Sequence, residues 1–332
     1  PVQIANQQNV ELSVVLCTVL TIGQVLSQTL NIALRSNLFS HRIYQILSAN
    51  AANDNVLFCP ISAYIPLALV YLGAGGDTAI ELRNGLHLSN NKSQLLTSFN
   101  AFIEELNDDE LKVVNKLFPK IGLLLKSEFL TIAQEVFNSG VQEVDYNNPG
   151  NAANIINDFV AEKTNNKIKN IINPDSINSD TAMYLVNAAH FLANWSDPFG
   201  NRGEGDFYVN QNQKVRVEMM GLTDFYNYAF SRYLNAQVLS VPFQGGNYSM
   251  VFILPKNGTT LSYVENRLFW FNNVLKTLQR TYVRVRMPKF ISEASFELVA
   301  PLKQLGINRV FSTSANLSGI TTQPLFVSDV IQ

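Results

Sequence analysis

The chain has 332 residues, of which 47% are hydrophobic and only 15% are charged, and its formal net charge is -2. This length and apolar content fit one large domain with a substantial core. The near-neutral balance, without clustered lysine and arginine, argues against a nucleic-acid partner, because phosphate binding needs such clusters.

The N-terminal region contains an apolar run, LSVVLCTVLTIGQVL, at residues 12–26. A run this short is typical of a signal-peptide core rather than a membrane span, and cleavage is predicted after Ser27. We interpret residues 1–28 as an upstream leader plus signal peptide and residues 29–332 as the mature domain. The alternative is a buried N-terminal helix. The signal-peptide interpretation predicts a secreted, extracellular protein whose single remaining thiol is Cys59.

The first half of the chain mixes helices with short strands. The run at 67–72 is apolar on all sides, which predicts a deeply buried helix. Thr78-Ala-Ile-Glu81 has the pattern of a capping box and should start the next helix. In chain order we predict a helix at 37–48, a strand at 56–59, a helix from 62 to 72, a helix from 78, a helix at 93–106 and a strand at 111–118.

The second half contains the clearest strands. Residues 181–195 are mostly apolar at both odd and even positions, which predicts a strand covered on both faces and therefore central in a large sheet. The remaining predictions are helices at 129–138, 151–172 and 301–305, a hairpin of 237–243 with 248–255, and a strand at 281–290. Helices and strands without a regular βαβ rhythm favour the α+β class.

Enzymatic, metal and cofactor sites find little support in the sequence. No Gly-x-Ser-x-Gly elbow and no Gly-Lys-Ser/Thr phosphate loop is present. His41, His87 and His190 are far apart in the chain, and no Cys-x-x-Cys pair exists, so neither a zinc site nor a disulfide framework is expected. His190 lies within the predicted central strand and is interpreted as structural. We therefore expect no catalytic residue, metal or cofactor.

Five Asn-x-Ser/Thr triplets are candidate glycosylation sites in a secreted protein. Asn257, in the turn-like segment PKNGTT, is the best candidate, and Asn91 and Asn247 are also retained. Asn194 is expected to be buried because it adjoins Trp195 in an apolar stretch; the fifth triplet begins at Asn316.

Five blocks of the sequence, in order, resemble the serpin family of serine protease inhibitors, and the likeness extends from about Leu38 to the last residue. The chain is identified as a member of that family on these blocks together. They are NVLFCPISAYIPLALVYLGAGGDTAIELRNGL at 55–86, INDFVAEKTNNKIKNII at 156–172, LVNAAHFLANWSDPF at 185–199, VRVRMPKF at 283–290 and LGINRVFSTSANLSGI at 305–320.

The resemblance implies a serpin fold, with a large central mixed sheet, additional sheets and surrounding helices. It also implies a suicide inhibitor, whose exposed reactive loop is cleaved by a serine protease and inserts as an extra strand. The alternatives are a non-inhibitory serpin with a carrier, storage or chaperone role and an inactive truncated serpin. The hinge of the reactive loop would distinguish an inhibitory from a non-inhibitory serpin. For an inhibitor, the resemblance implies an unidentified serine protease as the partner. A glycosaminoglycan is not expected, because Lys92 is nearly alone where such basic patches lie.

The resemblance also implies roles for individual residues. Ser62 and Asn187 match the polar shutter beneath the strands that open, and we expect Asn187 to form a hydrogen bond near Ser62. Cys59 and Gln332 stand at shutter positions usually held by serine and histidine. Trp195 and Lys289 match the breach, where insertion starts.

The match ends where the fifth strand of the main sheet of the family begins. We interpret the sequence as truncated before the hinge, the reactive loop and the last core strands. On that interpretation Val251, Ile253 and Leu57 are expected to be exposed, because the strands that cover them in the family would follow Gln332.

Overall fold

The computed structural model describes the chain in two compact units. One unit contains Pro1–Val25, Ser48–Leu57 and Ala193–Ala294, and is called the sheet unit below; the other contains Leu26–Leu47, Phe58–Leu192 and Ser295–Gln332, and is called the helical unit. The residues described are 2–4, 15–16, 27–51, 55–106, 110–178, 181–210, 213–291 and 296–330.

The described helices differ greatly in length, and none is long and apolar enough to cross a membrane. They are α1 (Ser27–Asn50), α2 (Pro60–Gly73), α3 (Gly76–Gly85), α4 (Lys92–Leu106), α5 (Ser127–Thr131), α6 (Pro149–Lys163), α7 (Leu261–Glu265), α8 (Phe271–Leu275) and α9 (Val299–Gln304). A π-helical turn covers Ile132–Val136, and 3₁₀ turns cover Pro174–Ser176, Leu268–Trp270 and Arg309–Phe311.

The described strands form two sheets, one in each unit. They are β1 (Val2–Ile4), β2 (Val15–Leu16), β3 (Leu111–Pro119), β4 (Ser139–Val141), β5 (Met183–Phe191), β6 (Gly200–Asn210), β7 (Gln213–Ser231), β8 (Ala236–Pro242), β9 (Ser249–Pro255) and β10 (Gln279–Pro288). The predicted α+β class is confirmed.

The sheet of the helical unit has the order β4-β3-β5, with β3 parallel to β4 and antiparallel to β5. On one face, Tyr184 and Val186 of β5 join a buried cluster with Ile156 of α6. Helix α2 also packs against β5. Both faces of β5 are therefore covered, as predicted. The predicted central position is not found, because β3 is the only described strand that pairs with β5. Helices that pack on the two faces of a strand explain its apolar residues, but they do not determine which other strands pair with its edges.

In the sheet unit, the strands are arranged in the order β1-β10-β7-β8-β9-β2. Strand β6 pairs with the N-terminal part of the long strand β7, residues 213–221. The predicted hairpin is confirmed as β8 and β9. The expected exposure of Val251 and Ile253 is wrong: β9 lies between β8 and β2, and both side chains are buried. Leu57 is exposed, as expected.

The N-terminus of α2 differs from the prediction. Residues 55–59 form no strand, and the helix begins at Pro60. Proline suits the first turn of a helix, because its missing N–H would have no intrahelical acceptor there. The predicted strand at 56–59 is therefore wrong, and Cys59 is the residue that precedes the helix.

Two other predicted helix ends also move. Helix α6 ends at Lys163 instead of 172, and the buried Thr164 hydroxyl donates to the carbonyl of Val160 (2.7 Å) and accepts from the amide of Ile168 (3.1 Å). The chain leaves the helical conformation directly afterwards, because Asn165 and Asn166 both have positive φ (50° and 59°). Helix α3 begins at Gly76, so Thr78 and Glu81 do not form the predicted capping box.

Candidate functional site

Asn187 lies in the middle of β5, directly across from Asn115 of β3. Its Nδ2 donates to Oδ1 of Asn115 over 2.6 Å. Because successive strand residues point to opposite faces, Asn187 lies on the face opposite to Tyr184 and Val186, which contact the α6 cluster. The predicted hydrogen bond of Asn187 near Ser62 is thus not the one found.

Asn115 extends this contact into a chain of hydrogen bonds. Its own Nδ2 donates to the main-chain carbonyl of Phe137 over 3.0 Å. The Asn115 side chain is only 6% exposed, so both of its polar atoms are satisfied inside the protein. Two strands and the segment after the π-helical turn are thereby joined through one amide.

Sequence reasoning missed Asn115, although a signal was present. The alternate residues Leu111, Val113 and Leu117 of β3 are buried apolar residues, and Asn115 is the polar member of the same series. A single amide in an apolar stripe needs partners. Only the pairing register of β3 with β5 shows that this partner is Asn187.

The second polar atom of Asn187 has no partner. Its Oδ1 is buried, and no hydrogen-bond donor reaches it among the described residues. The edge of β5 away from β3 also pairs with no described strand. An unpaired strand edge can accept the main chain of another strand. The site thus combines an open edge with a buried acceptor that lacks a donor.

The other predicted shutter residues lie at the N-terminus of α2. The amide of Ser62 donates to the carbonyl of Cys59 over 3.1 Å, so the two residues share the first turn. Cys59 is a free, partly buried thiol. Helix α2 packs against β5, which brings this helix to the strand that carries Asn187. Gln332 lies outside the described residues.

The predicted breach residues both lie in the sheet unit. The indole of Trp195 stacks on Phe243, with ring centroids 4.4 Å apart, and meets Phe199 edge-on at 5.1 Å. Lys289 is exposed; its amide donates to the carbonyl of Glu218, and its ammonium lies 4.0 Å from the carboxylate of that residue. Trp195 is therefore held in an aromatic cluster, whereas Lys289 is free to change partner.

The glycosylation candidates Asn91, Asn247 and Asn257 are exposed. Asn91 precedes α4, and its Oδ1 accepts from the amide of Gln94 (3.1 Å). Asn194 is exposed, so its expected burial is wrong. The neighbouring Trp195 is the residue that packs inward, and adjacent residues of an extended segment point in opposite directions.

The described residues hold no cluster of histidine, cysteine, aspartate and glutamate that could bind a metal ion. The site at β5 consists of side-chain amides and main-chain groups, and the aromatic cluster around Trp195 belongs to the other unit.

Comparison with known proteins gives a consistent result. The family model described as "Serpin (serine protease inhibitor)" matches residues 35–332. The chain is 31% identical over 303 residues to Antichymotrypsin-2 of Bombyx mori, covering 89% of this chain and 80% of the relative. It is 33% identical over 294 residues to the human plasma serine protease inhibitor, covering 85% of this chain and 71% of the relative.

Solved structures agree with the sequence comparison. Serpin48 of the insect Tenebrio molitor superposes with a TM-score of 0.82 at 30% identity, over 90% of this chain and 83% of that one. The chain therefore belongs to the serpin family, because the family model, the sequence relatives and the similar structures all identify it.

Proposed function

We propose that this protein inhibits a serine endopeptidase by accepting its own cleaved reactive loop as a new strand beside β5. The observation that carries the proposal is the open edge of β5, next to the buried Oδ1 of Asn187. The names of the relatives support the target class, because two of them are described as an antichymotrypsin and a serine protease inhibitor. The protein would act as an inhibitor and not as an enzyme.

The proposed mechanism uses the chain's own residues in sequence. The target protease cleaves the reactive loop, and the freed strand enters next to β5. Trp195 and Lys289 would act at the start of insertion, in the breach role that the family resemblance implies. Main-chain hydrogen bonds along the open edge supply the directional free energy of insertion. Ser62 and Cys59 would hold the end of α2 against the strand, while Asn187 would keep the seam polar and separable. Gln332 would belong to the same polar group.

A strand-annealing experiment tests the open edge directly. An acetylated twelve-residue peptide of alternating threonine and alanine is titrated into the 332-residue chain, and the melting temperature is followed. A peptide that binds the folded state alone stabilises it by about 2.7 kcal/mol at 100 times its Kd, so we expect a saturable rise. The matched control carries proline at alternate positions, which removes ladder donors. Equal shifts with both peptides, or none, contradict the proposal.

A second experiment tests the inhibition itself. The natural gene product is purified from its host and incubated with trypsin-like and chymotrypsin-like proteases. We expect an adduct with one of them that survives denaturing electrophoresis. Cleavage of the protein without any such adduct would favour the non-inhibitory alternative.

We also propose that the protein is secreted and glycosylated. The apolar run at 12–26 and the exposed Asn257 support this proposal. Expression in eukaryotic cells should yield secreted material whose first residue lies near Gln28, and Asn257→Gln should remove a glycan. Cytosolic material that retains residues 12–26 would contradict it.

A further inference from the structure

A groove of about 820 Å³ lies in the sheet unit, between the end of β7, the beginning of β10 and α8. This volume falls inside the range of roughly 300–1,000 Å³ in which small-molecule sites are found. The groove belongs to neither the β5 edge nor the residues assigned to the shutter and breach.

Three large aromatic side chains line this one groove and remain exposed. They are Phe230 (43% exposed), Tyr233 (45%) and Trp270 (51%). Single exposed aromatic residues are common, but several in one concave surface indicate a binding site. Their rings offer broad apolar faces, on which a flat aromatic molecule can stack.

The walls of the groove are held in place before any ligand arrives. The hydroxyl of Tyr228 donates to Oε1 of Gln237 over 3.2 Å. The ring of Phe269 meets Trp270 edge-on, with centroids 5.2 Å apart. The hydroxyl of Thr277 donates to the carbonyl of Val274 over 2.7 Å, which fixes the end of α8. A preformed groove loses little conformational entropy when it binds.

The charge of the groove selects its ligand. Arg232 is the one charged residue in the lining, which contains no aspartate or glutamate. Within the described part of the chain, no carboxylate forms an ion pair with Arg232. A second cation is close by, since the Lys256 ammonium lies 6.0 Å from the Phe230 ring. A groove that is lined by exposed aromatic rings and by one arginine without a counter-ion matches a ligand that is both flat and anionic.

We propose that this groove binds a small planar aromatic anion, such as an aryl carboxylate or sulfonate. The aromatic part would stack on Trp270 and Tyr233, and the anionic group would accept hydrogen bonds from Arg232. The inference does not rest on the inhibitory function, because it uses no residue of the β5 edge.

Fluorescence titration of the 332-residue chain tests the proposal with two probes of matched shape. One is the anion 1-anilinonaphthalene-8-sulfonate, and the other is the neutral N-phenyl-1-naphthylamine. The variants are Arg232→Gln, Trp270→Ala and, as a matched control outside the groove, Arg284→Gln. Melting curves of each variant establish that it is folded, and Trp270→Phe serves in place of Trp270→Ala if the alanine variant unfolds.

We expect the anion to bind the wild-type chain saturably, with one site per chain. Arg232→Gln should weaken its binding roughly ten-fold, as the loss of a charge-assisted hydrogen bond does, and should leave the neutral amine unchanged. The substitution at Trp270 should weaken both probes, and Arg284→Gln should weaken neither.

Three results would overturn the proposal. The first is equal binding of the anion and the neutral amine, with no effect of Arg232→Gln. The second is anion binding that all three variants leave intact, because the probe then lies elsewhere. The third is loss of probe binding as protein concentration rises, since a second copy of the chain would then occupy the groove.

Discussion

Asn115 satisfies more buried polar atoms than Asn187, and this difference predicts unequal effects of removing each amide. Asn115→Ala leaves both the Phe137 carbonyl and the Nδ2 of Asn187 without a partner. Asn187→Ala leaves only the Oδ1 of Asn115 unpaired, and it also removes the unsatisfied Oδ1 of Asn187 itself. Each unpaired buried group costs about 1–3 kcal/mol. We expect Asn115→Ala to lower the free energy of unfolding by about 1–3 kcal/mol more than Asn187→Ala.

Urea denaturation of the two alanine variants measures this difference. Asn115→Leu is a useful companion, because it fills the space of the amide without replacing its hydrogen bonds. If Asn187→Ala lowers the free energy of unfolding more than Asn115→Ala does, this prediction is wrong. Asn187 would then make stabilising contacts beyond its hydrogen bond with Asn115.

His87 should make the stability of the protein depend on pH. Burial lowers the pKa of His87 below its ordinary value, and the positive charges of Arg42 and Arg35 lower that pKa further. The folded state then binds fewer protons than the unfolded state. The contribution of His87 to the free energy of unfolding is therefore fully present above the unfolded pKa of about 6.5. This contribution is lost as the pH falls from that value through the lower pKa of the folded state. Burial lowers the pKa of His41 as well, which adds to the same trend.

The variant His87→Asn isolates this contribution. His87 has a positive φ of 55°, a conformation that asparagine tolerates better than most residues. We expect the wild-type melting temperature to fall between pH 7.5 and pH 5.5, and the variant to fall less. Parallel curves for the two proteins would exclude His87 as a source of the pH dependence.

Helix α3 is attached to the C-terminal part of the chain by Glu81. The Oε2 of Glu81 accepts hydrogen bonds from the amides of Asn308 (2.7 Å) and Arg309 (2.8 Å), and its Oε1 lies 3.5 Å from the Arg309 guanidinium. Thr78 accepts from the amide of Asn316 over 3.0 Å. The spacing of Thr78 and Glu81 suggested a capping box, but their side chains accept hydrogen bonds from a segment more than 220 residues away.

Replacing Glu81 should destabilise the protein more than replacing its exposed neighbour. Hydrogen bonds to a charged group contribute about 1.5–3 kcal/mol, so we expect Glu81→Ala to lower the free energy of unfolding by an amount in this range. Glu81→Gln keeps an acceptor oxygen and should recover part of the loss. Asp77→Ala removes an exposed ion pair with Arg309 (3.1 Å) and a carboxylate in the first turn of α3, and it should cost about 1 kcal/mol, less than Glu81→Ala. Similar losses for Glu81→Ala and Asp77→Ala would refute the role given to the two amide contacts.

Elements with a clear apolar pattern were predictable, and elements without one were not. The strands β3, β9 and β10 and the buried helix α2 all have such a pattern. The hairpin of β6 and β7 was missed because glycines and polar residues interrupt its alternation. One of those glycines is a structural requirement: a Cβ on Gly221 would lie 2.6 Å from the carbonyl oxygen of Val285 on β10.

The arrangement of whole strands was the hardest feature to predict, for a physical reason. Side chains report which faces of a strand are buried, and both faces of β5 are indeed covered. Edges are bonded through main-chain groups that every residue carries, so residue types do not reveal the neighbours of an edge. This explains why the position of β5 in its sheet and the partner of β9 both differed from expectation. The residue-level shutter and breach roles, which rest on family likeness, stay predictions.

The partner of β9 leads to a prediction for the whole molecule. Val15 and Leu16 of β2 pair with Phe252 and Val251 of β9, inside the segment that the sequence predicts to be a signal peptide. The described core side chains extend from Ile32 to Val327, so a chain that begins at Gln28 retains them all. Such a chain should fold, but one edge of the apolar strand β9 then loses its partner. Unpaired edges of this kind promote association between molecules.

We therefore expect a chain that begins at Gln28 to self-associate as its concentration rises. A chain that begins at Val10 is the matched control, because it loses β1 but retains β2, and it should stay monomeric under the same conditions. Sedimentation velocity across a series of concentrations distinguishes the two, and circular dichroism establishes that both are folded. If the two chains sediment alike at every concentration, β2 does not protect the edge of β9. If the shorter chain alone associates, processing of the leader frees an edge that another strand, from the same chain or from a second copy, must cover.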